Sequence, residues 1–304
     1  MYFGRNLDWT CGYGEDIIIT PKHYKRTYAF EGEGSAVGDV IGVAIVVNNM
    51  PLYFDAANDQ GLAIAGLNFP GFAQYEKEPV AGKTNLAAYE FPLWVVSNFT
   101  TVDEAEEALK NIALVAKQVN DTYPVALLHY LIGDKNRSIV VEYMSDGMHI
   151  YHDEVDCLTN QPTFDWHQQN LRNYISLTPE FPAAADWDSI KLEPYGTGSG
   201  MRGMPGDFYS TSRFVRAAYF NAHYPEQQGE KDNVTRLFKT LQGSAMIKGG
   251  AQMTDGDFEY TIYTGGYSQA TKTYYYATYD DPAIRAIPIA SAPAGSTQLY
   301  TVKG

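Results

Sequence analysis

Residues 41–47, IGVAIVV, constrain the fold of this chain more than any other stretch. β-Branched side chains lose rotamer freedom in a helix and pack well on a pleated surface, so a run of them bounded by Gly and Asn predicts a buried strand. Residues 17–20 (IIIT) read the same way. Residues 52–56 and 62–67 follow after short turns, which makes the first third a meander. Thr101 and Glu104 then form a capping box, in which the hydroxyl accepts from a first-turn N–H and the carboxylate reaches back. Ala105, Leu109, Ile112 and Val115 continue near helical spacing, which predicts an amphipathic helix over 102–117.

Strands return at 138–143 and 148–152, joined as a hairpin by Ser-Asp-Gly. Helices are expected over 212–222 and 233–241. A second hairpin follows, 259–263 and 274–279, with the glycine pair Gly265 and Gly266 between its arms. Strands, then helices, then strands argue for α+β layers and against the regular alternation of a parallel doubly wound sheet. Residues 179–194, rich in Pro and Ala, read as a surface loop within a single domain covering 1–304.

With 304 residues, 45% of them hydrophobic and 19% charged, the chain can bury a sizeable core. Its formal net charge of −14 argues against nucleic acid as a partner, because that needs a basic stripe. The two cysteines, Cys11 and Cys157, are too few for a disulfide scaffold and lack zinc-site spacing, which fits a reducing compartment. The chain carries no charged-then-apolar leader and no apolar run near the roughly 18 residues of a membrane span, so it reads as soluble and cytoplasmic.

Residues 198–203 (GSGMRG) match a dinucleotide fingerprint, but Pro194 and Pro205 deny it the strand before and the helix after. No cofactor or metal motif is apparent. His129, His149, His152 and His167 offer no i, i+4 pair, and each reads as a surface or core histidine. Four islands stand out instead: 3–8 (FGRNLD), 66–70 (GLNFP), 158–166 (LTNQPTFDW) and 205–214 (PGDFYSTSRF). Each sets Asn, Asp or Arg beside Gly or Pro and aromatics. Singly, each is a turn, with Arg5 and Asp8 as a structural ion pair. Together they point to an amide-type or acyl-transfer site.

In their order and content these islands resemble the choloylglycine hydrolase family, the bile salt hydrolases and penicillin V acylases of the N-terminal-nucleophile superfamily. The resemblance covers nearly the whole chain. It implies a four-layer αββα sandwich and a cysteine nucleophile that becomes residue one when the initiator Met is removed. The α-amino group of that cysteine serves as base, with an ordinary pKa of about 7.7 to 8.0. Arg5 then sits against the thiolate, and Asp8 orients the amino group. Asn68 and Asn160 surround the substrate amide, and Arg213 supports the charged network. Asn at 68, where acylases of the penicillin type carry Tyr, favours bile salts. Leu7, Phe54 and Phe69 are candidate walls for the steroid. No cofactor is implied; the partners are a small amphipathic anion and, as a homotetramer, copies of the chain itself.

One departure stands beside the resemblance. Family members place Met-Cys and a strand ahead of F-G-R-N, roughly a dozen residues by typical strand length, and here Phe3 follows Met1 and Tyr2. The expectation is that the first strand and the nucleophile lie outside the given sequence, and that the chain as written is inactive. Cleavage before Cys11 would discard Arg5 and Asp8, and Cys157 has no α-amine, so neither replaces it. A penicillin V or N-acyl-homoserine-lactone acylase and a non-catalytic binder of amphipathic acids remain as alternatives.

Overall fold

The computed structural model describes residues 1–303. Along the chain, β1 (Tyr2–Trp9), β2 (Asp16–Thr20), β3 (Val40–Val47), β4 (Met50–Asn58) and β5 (Ala63–Asn68) precede α1 (Phe91–Asn98) and α2 (Val102–Leu109). Then come β6 (Leu128–Gly133), β7 (Ser138–Met144) and β8 (Gly147–Asp153), followed by α3 (Phe164–Asn170), α4 (Ser210–His223) and α5 (Gly229–Gln242). The last group is β9 (Phe258–Ser268), β10 (Thr273–Thr278), β11 (Arg285–Pro288) and β12 (Tyr300–Val302). An eight-stranded antiparallel sheet runs β8-β7-β6-β5-β4-β3-β2-β12. The second sheet runs β1-β9-β10-β11, with the short strand Ala251–Gln252 also paired to β9.

Side-chain alternation turns these sheets into layers, because neighbouring residues of a strand face opposite ways. Ile17 and Ile19 enter the core between the sheets, where they join Tyr263, Tyr267, Tyr274 and Tyr276. Ile18 points to the other face, into the core it shares with Phe91 and Val95 of α1 and Leu109 of α2. Across the smaller sheet, Val234 and Phe238 of α5 pack with Ala277 and Tyr275. The order is helix, sheet, sheet, helix, the αββα arrangement expected. The run 41–47 lies in β3, inside the large sheet; residues 41–45 are buried, so their unbroken apolar character follows from having both faces covered, while Val46 is exposed and Val47 half-buried.

Three local expectations need correction. The capping box at Thr101 and Glu104 is formed, but α2 stops at Leu109. Ile112–Val115 is a strand, all four residues buried, pairing in parallel with Thr84–Ala87. Its β-branched residues continue the helical spacing by coincidence. Gly265 and Gly266 lie inside β9, and the hairpin turns further on, after Ser268. They are glycines for space: a Cβ on Gly265 would lie 2.1 Å from the Tyr274 hydroxyl, and one on Gly266 would lie 2.5 Å from Leu237. The loop at 179–194 carries its own small hairpin, Ala185–Trp187 with Ile190–Leu192, largely exposed.

Candidate active site

Four elements bring the islands together. β1 carries Arg5 and Asp8, the end of β5 carries Asn68, the loop after β8 carries Asn160, and the first turn of α4 carries Arg213. All five side chains line one cavity of about 350 Å³. A register shift between Leu7 and Asp8 breaks the regular β1–β9 ladder where Asp8 enters the site, a common way to re-aim a side chain.

Arg5 is 8% exposed. It donates from Nη1 to the carbonyls of Phe54 (3.0 Å) and Gly66 (2.9 Å), and from Nε to that of Asn6 (3.1 Å), so its guanidinium is fixed across the gap between the sheets. Behind it lies buried Asp55, which accepts from the hydroxyls of Tyr263 (2.7 Å) and Tyr274 (2.6 Å). Burial pushes the Asp55 carboxyl up, and Arg5 and the two tyrosines pull it back. Asp8 accepts from Thr261 and faces Arg213 at 3.8 Å. Burial raises its carboxyl too, against Arg213, Thr261 and Arg5.

Arg213 and Asn160 form the other half of the site. Arg213 donates to the Asn160 side-chain oxygen at 2.6 Å and, through Nε, to the Phe208 carbonyl at 2.9 Å. The Asn160 amide in turn donates to the Asn68 carbonyl at 2.8 Å. Asn160 therefore bridges two other islands, and its own N–H is held by the Ser210 hydroxyl at 3.0 Å. The Asn68 side chain is exposed beside them.

Leu7 and Phe54 line the cavity. Phe69 does not: it is fully buried, and its ring stacks on His129 and on Phe72, so it supports the site from behind. Sequence reasoning missed Trp9, Tyr13, Tyr89, Lys117 and Glu259, which also line the cavity. Tyr13 stands between Trp9 (6.4 Å) and Phe54 (5.5 Å), an aromatic wall. Trp9 adjoins an island; the others come singly from distant segments and carry no local signal. Glu259 is pushed up by burial and then by Asp8.

A second groove, of about 420 Å³, runs along β1 and shares Arg5, Asp8 and Arg213 with the cavity. Among the described residues, β1 pairs on one side alone, with β9. Cys157 lines this groove, but it is buried, and desolvation, with Asp153 and Asp156 adding, lifts its thiol well above the ordinary range. Cys11 is exposed. Neither cysteine lines the cavity.

Residues 1–301 match the family described as linear amide C–N hydrolases, choloylglycine hydrolase family. The chain belongs to the choloylglycine hydrolase family. This choloylglycine hydrolase family member is 54% identical to a bile salt hydrolase/transferase from Bifidobacterium longum, over 99% of this chain and 95% of the relative. It superposes on a variant of the conjugated bile acid hydrolase from Clostridium perfringens with a TM-score of 0.93 at 32% identity, covering 100% of this chain and 93% of that one. A penicillin V acylase from Pectobacterium atrosepticum is more distant, 31% identical over 71% of this chain and 54% of the relative.

Proposed function

We propose that this chain is a bile salt hydrolase, which cleaves the amide bond joining a bile acid to glycine or taurine. The observation that carries the reading is the meeting of two guanidinium groups, a carboxylate and two carboxamides on one aromatic-walled cavity of about 350 Å³. A conjugated bile salt suits it: the steroid lies against Leu7, Phe54 and Tyr13, and the polar groups meet the amide. The name borne by the relative at 54% identity supports the same substrate class.

In this reading a thiolate, held by the charge of Arg5, adds to the amide carbon, and the carbonyl electron pair moves onto oxygen. The carboxamides of Asn68 and Asn160 stabilise that oxyanion, an effect worth on the order of 3 kcal/mol per donor. Asp8 orients the terminal amine that took the thiol proton. The tetrahedral species collapses, the C–N bond breaks, and the leaving amine receives that proton. Water, deprotonated by the same amine, then cleaves the thioester. In this reading the thiol is that of an N-terminal cysteine, which neither Cys11 nor Cys157 supplies at the cavity. We further read residues 1–304 as one domain of a cytoplasmic homotetramer, which light scattering tests.

Glycine release from glycocholate, compared with turnover of penicillin V, tests the function, using residues 1–304 with and without a preceding cysteine-bearing strand. The extended form is expected to prefer glycocholate and the short form to release nothing. Preference for penicillin V would replace the substrate. One observation favours a second reading: neither cysteine lines the cavity. Glycocholate binding by the short form, without turnover by either, would make the protein a binder of amphipathic acids.

A further inference from the structure

Two histidines lie directly behind the site. His129 on β6 and His167 on α3 are both 0% exposed. His129 Nε2 is 2.8 Å from the Thr159 carbonyl oxygen, and His167 Nε2 is 2.9 Å from the Asn160 carbonyl oxygen. A carbonyl only accepts, so each ring carries a proton on Nε2. His129 Nδ1 faces the Glu142 carboxyl at 3.1 Å, and the same carboxyl oxygen accepts the Phe164 N–H at 3.0 Å. His167 Nδ1 has no hydrogen-bond partner, so one bond defines the polar role of that ring.

The ring faces make a matching pattern. His129 stacks on Phe69, with centroids 4.2 Å apart and planes within 7°. His167 stacks on Phe214, 4.4 Å apart and within 18°. Phe69 follows Asn68 in the chain, and Phe214 follows Arg213. Each imidazole therefore ties the edge of the Asn160 loop to the neighbour of another site residue. A buried ring N–H needs an acceptor in any case; what is particular here is that the two acceptors are the consecutive carbonyls of Thr159 and Asn160, at the loop whose Asn160 side chain spans from Arg213 to the Asn68 carbonyl.

We propose that His129 and His167 are positioning residues, which lock the backbone at Thr159 and Asn160 and so hold the Asn160 carboxamide in its bridging place. The role this gives them in catalysis rests on the hydrolase reading above. Burial keeps His167 neutral at ordinary pH, with its pKa lowered to about 4, so a proton on Nε2 leaves Nδ1 bare.

His167→Phe keeps a ring on Phe214 and loses the donor; His167→Gln keeps an N–H near the Nε2 position and loses the ring. The readout is the Asn160 side-chain amide signal in protein labelled with [15N]asparagine, assigned by its loss in Asn160→Ala, beside the melting temperature. In the cysteine-bearing form, kcat and KM for glycocholate are added. His167→Phe is expected to displace the amide signal and to lower kcat about 10- to 100-fold, with KM changed less than about threefold, and His167→Gln to recover most of both. If His167→Phe does not fold, His167→Leu takes its place against His167→Gln. A folded donor-less variant with the wild-type amide signal and kcat would overturn the proposal, as would a Gln variant no better than Phe or Leu. Failure of the bile-salt reading appears separately, as absence of glycocholate turnover by the wild type, and the amide signal of the free protein still decides.

Discussion

His167 sits in the wall behind Asn160 with one ring nitrogen unpartnered, and burial lowers its pKa to about 4 against the usual 6.5. As pH falls through 6.5 the unfolded chain takes the proton first, so native stability drains away until about 4, where both states carry it. At about 1.4 kcal/mol per pH unit the full loss is about 3 kcal/mol. His167→Gln has no such proton. The gap in urea midpoint between wild type and variant is therefore expected to narrow between pH 6.5 and 4, and a constant gap would contradict the assignment. Arg5, Asp8, Asn160 and Arg213, which line one cavity, were readable in the sequence as candidates because each stands in a short island of Gly, Pro and aromatic residues. His129 and His167 were not, since their role exists only once residues 129, 159, 160 and 167 are neighbours in space. Phe69 stayed open between wall and core for a related reason: an aromatic next to a site residue can cover the site from outside or prop it from behind, and only the structure shows that it is the latter.

Among the elements, β9 shows how packing overrides local chemistry. A Gly pair is the usual mark of a turn, yet Gly265 continues the strand because the Tyr274 hydroxyl passes over it to reach Asp55. Gly265→Ala is expected to drive that hydroxyl away and leave a buried carboxyl short of a donor, costing about 2–4 kcal/mol from overpacking and the lost bond together. Urea denaturation measures it; a loss below about 0.5 kcal/mol would mean that the tyrosine moves freely. The hairpin of β7 and β8 was legible because a β-branched run and the Ser-Asp-Gly turn chemistry agree. α2 was overextended because Ile112 and Val115 satisfy both a helical period and a strand, and only the pairing with Thr84–Ala87 chooses between them.

For the molecule as a whole, charge and the inter-sheet core act at different ranges. A net charge of −14 repels an anionic bile salt until it reaches Arg5 and Arg213. Salt shortens that repulsion to about 10 Å at 0.1 M, so kcat/KM for glycocholate in the cysteine-bearing form is expected to rise about twofold between roughly 20 and 200 mM salt. A fall would show that the local arginines dominate the approach. The layered architecture was implied by resemblance and follows physically from Ile17, Ile18 and Ile19 facing alternate sides. Between the layers, Tyr263 and Tyr274 are fully buried and their hydroxyls resist ionisation, first through desolvation and then through Asp55. Phenolate formation at these rings must await solvent entry into the interior. An alkaline titration followed by tyrosinate absorbance should thus give an early gradual phase from surface phenols, then an abrupt rise coinciding with loss of the native fold, so that tolerance of strong base is set by how long the two sheets stay closed.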